Sequence, residues 1–121
     1  MYRIKFYEDR NGKSPVYEFI QDMSCKTDKD NRINSRKIND YIQFLSVNGK
    51  AAGEPYIKHV DGEIWELRPI RHRIFFASWD DGADGFILLH HFLKKTQKTP
   101  QIEIDQAKRN LEDILERKNG L

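Results

Sequence analysis

The sequence lacks most of the devices that hold a small chain together without a packed core. It has one cysteine, Cys25, so no internal disulfide is possible and a reducing compartment is expected. Its longest apolar stretch, Phe86 to Leu93, is interrupted by His90 and His91. That is far short of the roughly 20 apolar residues that cross a bilayer. The opening segment MYRIKFYEDRNGK alternates charged and apolar residues, instead of placing an apolar core after a basic flank. No secretion signal is expected from it, and the expected location is cytoplasmic, with no membrane partner. Charge of one sign is scarce as well: 21 Lys and Arg stand against 19 Asp and Glu, a net +2. Bulk charge therefore does not demand a nucleic-acid partner.

Several chemistries are missing too. The glycines sit in turns, so there is no glycine-rich phosphate loop. There is no G-x-S-x-G elbow, and Cys25 lies in a polar segment with no histidine close in sequence, which disfavours nucleophilic hydrolysis. His90 and His91 are neighbours on a strand, so they point to opposite faces and cannot grip one ion together. Neither a metal site nor a cofactor is expected.

What is present suits one domain over residues 1–121, a length able to bury a real core. Tyr2 to Tyr7 alternates as a half-buried strand, ended by Asn11-Gly12. Ser14 is the expected cap of a helix with Pro15 at its first position and Val16, Phe19, Ile20 and Met23 on one face. After a polar break from Lys26 to Asp30, a second helix is expected from about Asn31 to Val47 on the stripe Ile38, Tyr41, Ile42, Leu45, stopped by Asn48-Gly49. The period then changes to two. Tyr56 to Val60 and Glu63 to Leu67 form a hairpin about Asp61-Gly62. Arg71 to Trp79 follows, then the reversal DDGADG, then Phe86 to Leu93, expected at the centre of the sheet because it is the most apolar strand. Thr99-Pro100 opens a last helix with Ile104, Ala107, Leu111, Ile114 and Leu115 on one face. The order βααββββα implies an α+β fold: an antiparallel sheet with two N-terminal helices and a C-terminal helix packed on it. Trp65 and Trp79 read as core residues.

The cationic residues are unevenly spread. The strand-forming half carries Lys58, Arg68, Arg71, Arg73, Lys94, Lys95 and Lys98 together with all four histidines. On a strand, Arg71 and Arg73 share one face and His72, Ile74 and Phe76 the other. Their guanidinium groups would stand about 7 Å apart, near the spacing of successive phosphates in a single strand. A groove of this kind suits RNA cleavage by an attacking 2′-hydroxyl, because fixed cations stabilise charge that builds on phosphorus oxygens. Arg grips phosphate through two parallel bonds, and His72, His90 or His91 is able to move protons near neutral pH. A solvated basic sheet face, nucleic-acid binding and catalysis all remain open on these residues alone. Arg73 is expected to stand exposed, so that its removal leaves the fold intact.

Three segments carry a resemblance: Ile64-Trp65-Glu66-Leu67-Arg68-Pro69, Arg73-Ile74-Phe75-Phe76, and Leu88-Leu89-His90-His91-Phe92-Leu93-Lys94-Lys95-Thr96-Gln97-Lys98-Thr99-Pro100. With Glu103, Ile104, Ala107 and Arg109 after them, they resemble the HigB-type, phage-derived branch of the RelE/ParE toxin superfamily. The resemblance implies a toxin of a type II toxin–antitoxin system that inhibits translation as a ribosome-dependent mRNA endonuclease. It also implies a cognate HigA-type helix-turn-helix antitoxin, and repression of operator DNA through that antitoxin. In site residues it implies Arg73 on the scissile phosphate, Lys94 or Lys95 as a second cation, and Arg68 and Arg71 around the same groove. Lys58, His72 and Lys98 would extend the RNA-binding surface. Some relatives use a C-terminal tyrosine as acid or base, but no tyrosine follows Tyr56 here. Proton transfer is thus left open, with His91 or His72 as candidates. A ParE-like gyrase inhibitor and a catalytically inactive co-repressor are the alternative readings.

Overall fold

The computed structural model describes residues 1–80, 82 and 84–119. Its elements are β1 (Arg3–Phe6), α1 (Pro15–Ser24), α2 (Lys29–Asn48), a 3₁₀ turn (Gly49–Ala52), β2 (Ile57–Asp61), β3 (Ile64–Leu67), β4 (His72–Asp80), β5 (Asp84–Leu93) and α3 (Gln101–Asn119). The five strands form one sheet in the order β1-β5-β4-β3-β2. The expected α+β class and element order are observed. Of the expected reversal DDGADG, Asp81 and Ala83 lie outside the described residues.

Two features of the sheet differ from expectation. The β1–β5 pair is parallel while the other three pairs are antiparallel, because two helices intervene before the chain returns beside β1. The central strand is β4 rather than β5. Both are apolar for the same reason: each has a strand on either side and helices over both faces. Gly85 permits the parallel pairing, since a Cβ there would stand 2.6 Å from the Arg3 carbonyl oxygen.

The helix ends also differ in detail. The Ser14 hydroxyl does not cap α1; it donates to the Tyr7 carbonyl at 2.8 Å, while the Glu18 carboxylate reaches back to the Ser14 N–H at 2.9 Å. The second helix starts at Lys29, inside the expected break, because Asp28 accepts from the Asn31 N–H at 3.1 Å. It stops where expected, at Gly49, whose φ of 60° lies in the left-handed region.

The sheet separates two cores. On one side α3 sends Ile104, Ala107 and Leu111 onto Ile64, Phe75, Ala77, Trp79, Ile87, Leu89 and Phe92. On the other, α1 and α2 send Val16, Ile20, Met23, Ile38 and Leu45 onto Ile57, Leu67, Ile74, Phe76, Phe86 and Leu88. Trp79 is buried in the first core, and Trp65 is half-buried against the second, its ring beneath the Lys50 ammonium at 4.7 Å. No helix among the described residues is long and apolar enough to cross a membrane.

Candidate phosphate-binding site

The strands β3 and β4 are joined by the tight segment Arg68 to Arg71, in which Ile70 has a φ of 56°. A β-branched residue in the left-handed region is an outlier held only by its surroundings. Here the His72 N–H donates to the Pro69 carbonyl at 3.0 Å, and the Ile70 carbonyl turns toward Arg73. The Arg73 Nη1 donates to the Ile70 carbonyl at 2.9 Å and to the His72 carbonyl at 2.8 Å. Arg73 is therefore 9% exposed, which corrects the expectation of an exposed side chain: the guanidinium folds back onto its own turn. Its buried Nε has no partner. Burial pushes the guanidinium below its usual value, Glu66 opposes that and Arg68 adds to it, yet an arginine stays charged.

Past the end of β5, the Lys94 N–H donates to the Arg71 carbonyl at 2.8 Å, which lays the lysine pair alongside the β3–β4 turn. Between them is a cleft of about 540 Å³ lined by Ile70, Arg71, Arg73, Lys94, Lys95, Thr96 and Gln97. Four cations and no carboxylate line it. Arg71 lies in the turn before β4 rather than on the strand, and is exposed.

Two more cations approach from β3 and β2. Arg68 follows β3, with Nε 3.4 Å from the Glu66 Oε1 and Nη1 3.6 Å from the Glu54 Oε1. Lys58 stands opposite Glu66 across β2 and β3. Burial depresses the Lys94 ammonium; Glu66 opposes the shift, while Arg73, Arg68 and Lys58 add to it. These five groups thus act on one another electrostatically.

A bulge decides which lysine faces inward. Phe75 pairs with His90 but Phe76 pairs with Leu88, leaving Leu89 as an extra residue in β5. The Leu89 carbonyl accepts from the Asn110 Nδ2 of α3 at 2.8 Å. Beyond the bulge the parity is reversed. His90 and Phe92 face α3, His91 faces α1, and Lys94 falls on the face of Arg73 and Glu66. Lys95 is exposed at the cleft wall.

The histidines are placed elsewhere. His72 Nδ1 lies 3.1 Å from His91 Nε2, and the Phe19 ring stacks on His91 at a centroid distance of 3.4 Å. Burial, with the charges of His72 and His90, pushes the His91 imidazole down to about 3, and burial also lowers His72. Neither is part of the cleft lining. His90 hydrogen-bonds Glu103 at 2.9 Å, and His59 the Gly62 carbonyl at 2.7 Å. Lys98 is exposed and outside the cleft lining. Among the described residues no group of three or more His, Cys, Asp or Glu is placed to hold a metal.

Reading the sequence for cations missed Glu66, which is 2% exposed at the root of the basic cluster. Its signal was an acid in an apolar strand, two residues before an arginine. A larger groove, about 750 Å³, lies at the other end of the sheet between the β2–β3 turn and α3. Its rim carries Asp61, Glu63, Glu112 and Glu116 against a single Lys108, a charge pattern that repels phosphate.

No curated protein matches the chain significantly. The family model described as phage-derived protein Gp49-like (DUF891) matches residues 26–112. That span runs from before α2 into α3 and includes every residue of the basic cleft. The chain belongs to this Gp49-like family of phage-derived proteins, which is a RelE/HigB-like toxin family.

Proposed function

We propose that this protein is a HigB-type toxin of a type II toxin–antitoxin system and cuts mRNA on the ribosome. The observation that carries the reading is the cleft where Arg71, Arg73, Lys94 and Lys95 converge with no carboxylate in its lining. Membership of a toxin family supports the same reading.

In this mechanism Arg71 and Arg73 hold the scissile phosphate, and the ribose 2′-oxygen attacks phosphorus while the bond to the 5′-oxygen breaks. The proton of the 2′-hydroxyl passes to water, and the Lys94 ammonium gives its proton to the leaving 5′-oxygen. The products are a 2′,3′-cyclic phosphate and a 5′-hydroxyl. Lys94 suits the acid role because burial and neighbouring cations bring it closer to neutral pH than a free lysine. Charge spreading onto the phosphorus oxygens is met by cations already fixed in place. A net charge of only +2 gives little attraction for free RNA, so the ribosome supplies the substrate in position. A HigA-type helix-turn-helix antitoxin neutralises the toxin and carries it to operator DNA.

The test is brief induction of the chain in a bacterium, with primer extension on an abundant mRNA. Arg71→Ala is the first control because that side chain is exposed. Cuts that need translation and fall on the order of 100-fold in the variant are expected. Growth arrest with DNA breaks and intact mRNA would move the protein to the gyrase-inhibitor class. A soluble, harmless chain would leave the co-repressor reading.

A further inference from the structure

We propose that Glu66 is a positioning residue of the basic cleft, a buried carboxylate that, paired with Arg68, sets where Arg73 and Lys94 stand against one phosphate. This rests on the nuclease reading above. Glu66 is paired opposite Lys58 on β2 and Phe75 on β4, so its side chain lies on the same face as theirs. Arg73, two residues before Phe75, shares that face. Glu66 is 2% exposed, its Oε1 faces the Arg68 Nε at 3.4 Å, and its buried Oε2 has no partner.

An ionised group so placed is unfavourable unless its surroundings answer its charge. Lys58 stands opposite it on β2 and the Arg68 Nε lies 3.4 Å away at the end of β3. Arg73 of β4 shares its face of the sheet, and Lys94 from beyond β5 responds to its charge. Glu54 flanks the far side of Arg68 at 3.6 Å, and Tyr41 of α2 is close enough to Arg73 to act on it electrostatically. Four cations from four segments repel one another. Arg73 is pinned by the Ile70 and His72 carbonyls, while the longer-ranging side chains of Lys58, Arg68 and Lys94 gain freedom by swinging into water. A fixed anion at their root gives them a common point to converge on before any phosphate arrives. It also repels that phosphate. Glu66 therefore weakens ground-state binding while it improves alignment, so binding and cutting separate when it is neutralised.

The experiment uses the full chain with ribosomes programmed with mRNA. Binding is measured on the same mRNA carrying a 2′-deoxy nucleotide at the cut site, and cutting in single turnover on the natural mRNA. Glu66→Gln keeps the shape and removes the charge. The expected result is a rate constant lower by roughly 10- to 100-fold with binding equal to wild type or tighter. The alkaline limb of the pH–rate profile should move to lower pH, since Glu66 supports the protonated Lys94. A folded Glu66→Gln protein that cuts at the wild-type rate, or loses binding and cutting in parallel, overturns the proposal. Should Glu66→Gln fail to fold, Glu66→Asp takes its place, with the charge kept but drawn back. Slow cutting with intact binding supports the proposal, and wild-type cutting overturns it. A wild-type chain that cuts no mRNA refutes the nuclease reading itself and takes this inference with it.

Discussion

The sharpest physical consequence of the fold is a loss of stability in mild acid, driven by His91. Its imidazole sits between the Phe19 ring and His72, and burial first, then the charges of His72 and His90, hold it down to about 3 from an ordinary 6.5. The folded form therefore binds a proton less readily than the unfolded form. The stabilisation is complete above the unfolded value of 6.5 and is lost as pH falls from there toward 3. At about 1.4 kcal/mol per pH unit, His91 alone removes about 2 kcal/mol by pH 5. His72 is lowered by burial too and acts in the same direction. The depressed carboxylates, Asp28 and Asp113, lose their contribution only as pH falls below the ordinary 3.8, so they do not mask a drop measured between pH 7.5 and 5.0.

Thermal unfolding at pH 7.5 and 5.0 reads this directly. For a domain of this size about 2 kcal/mol corresponds to a fall of roughly 10 °C in Tm. His91→Phe is the control. It leaves His72 Nδ1 without its partner, which costs about 1 kcal/mol at neutral pH, but it removes the titrating ring, and the drop between the two pH values should shrink by more than half. An equal drop in the variant would refute the reasoning. So would a His91 imidazole resonance that titrates near 6.5 in the folded protein.

Other outcomes follow from single contacts. Gly49→Ala puts a Cβ 2.7 Å from the Tyr2 ring at a φ of +60°, and denaturant unfolding should show a loss of about 2 kcal/mol. Asn110→Ala strips the Leu89 carbonyl at the bulge of its buried donor, and the same assay should read about 1–3 kcal/mol. Arg71→Ala combined with Lys95→Ala should leave Tm within a degree or two, because both side chains are exposed. Binding of single-stranded RNA by that double variant should lose about 0.7 from the salt slope for each phosphate contact removed. Arg73→Ala should be less benign. It frees the Ile70 and His72 carbonyls and should lower stability measurably by circular dichroism, alongside any loss of cutting.

Much of the fold was legible because it rests on local rules. The change from a helical to a two-residue period after Gly49 marks the boundary between the helical part and the sheet, and α1 and α3 follow their apolar stripes. What escaped the sequence was decided at a distance. The first strand reads the same whether it pairs parallel or antiparallel, and only the path of two helices makes it parallel to β5. The start of α2 was missed because Asp28 is at once a break-like polar residue and a working cap. Arg73 was expected in water because arginines are rarely buried. It is buried because a left-handed Ile70 offers it a carbonyl, a geometry no propensity indicates.

The lysine pair shows how one unread residue redistributes a whole site. Strict alternation from Leu89 along β5 would carry His91 to the α3 face and then Lys95 to the face of Arg73. The extra residue at Leu89, stapled by Asn110, reverses that count. It sends His91 under α1, where burial strips it of proton chemistry near neutral pH. It sends Lys94 toward Glu66 and Arg73, where burial and like charge loosen its proton. A bulge has no sequence signature in a run as uniformly apolar as Phe86 to Leu89, since a pattern without polar residues cannot show where its parity changes. The same bulge thus removes one titratable group from the cleft face and installs another, which is why the proposed mechanism gives the proton to a lysine rather than a histidine.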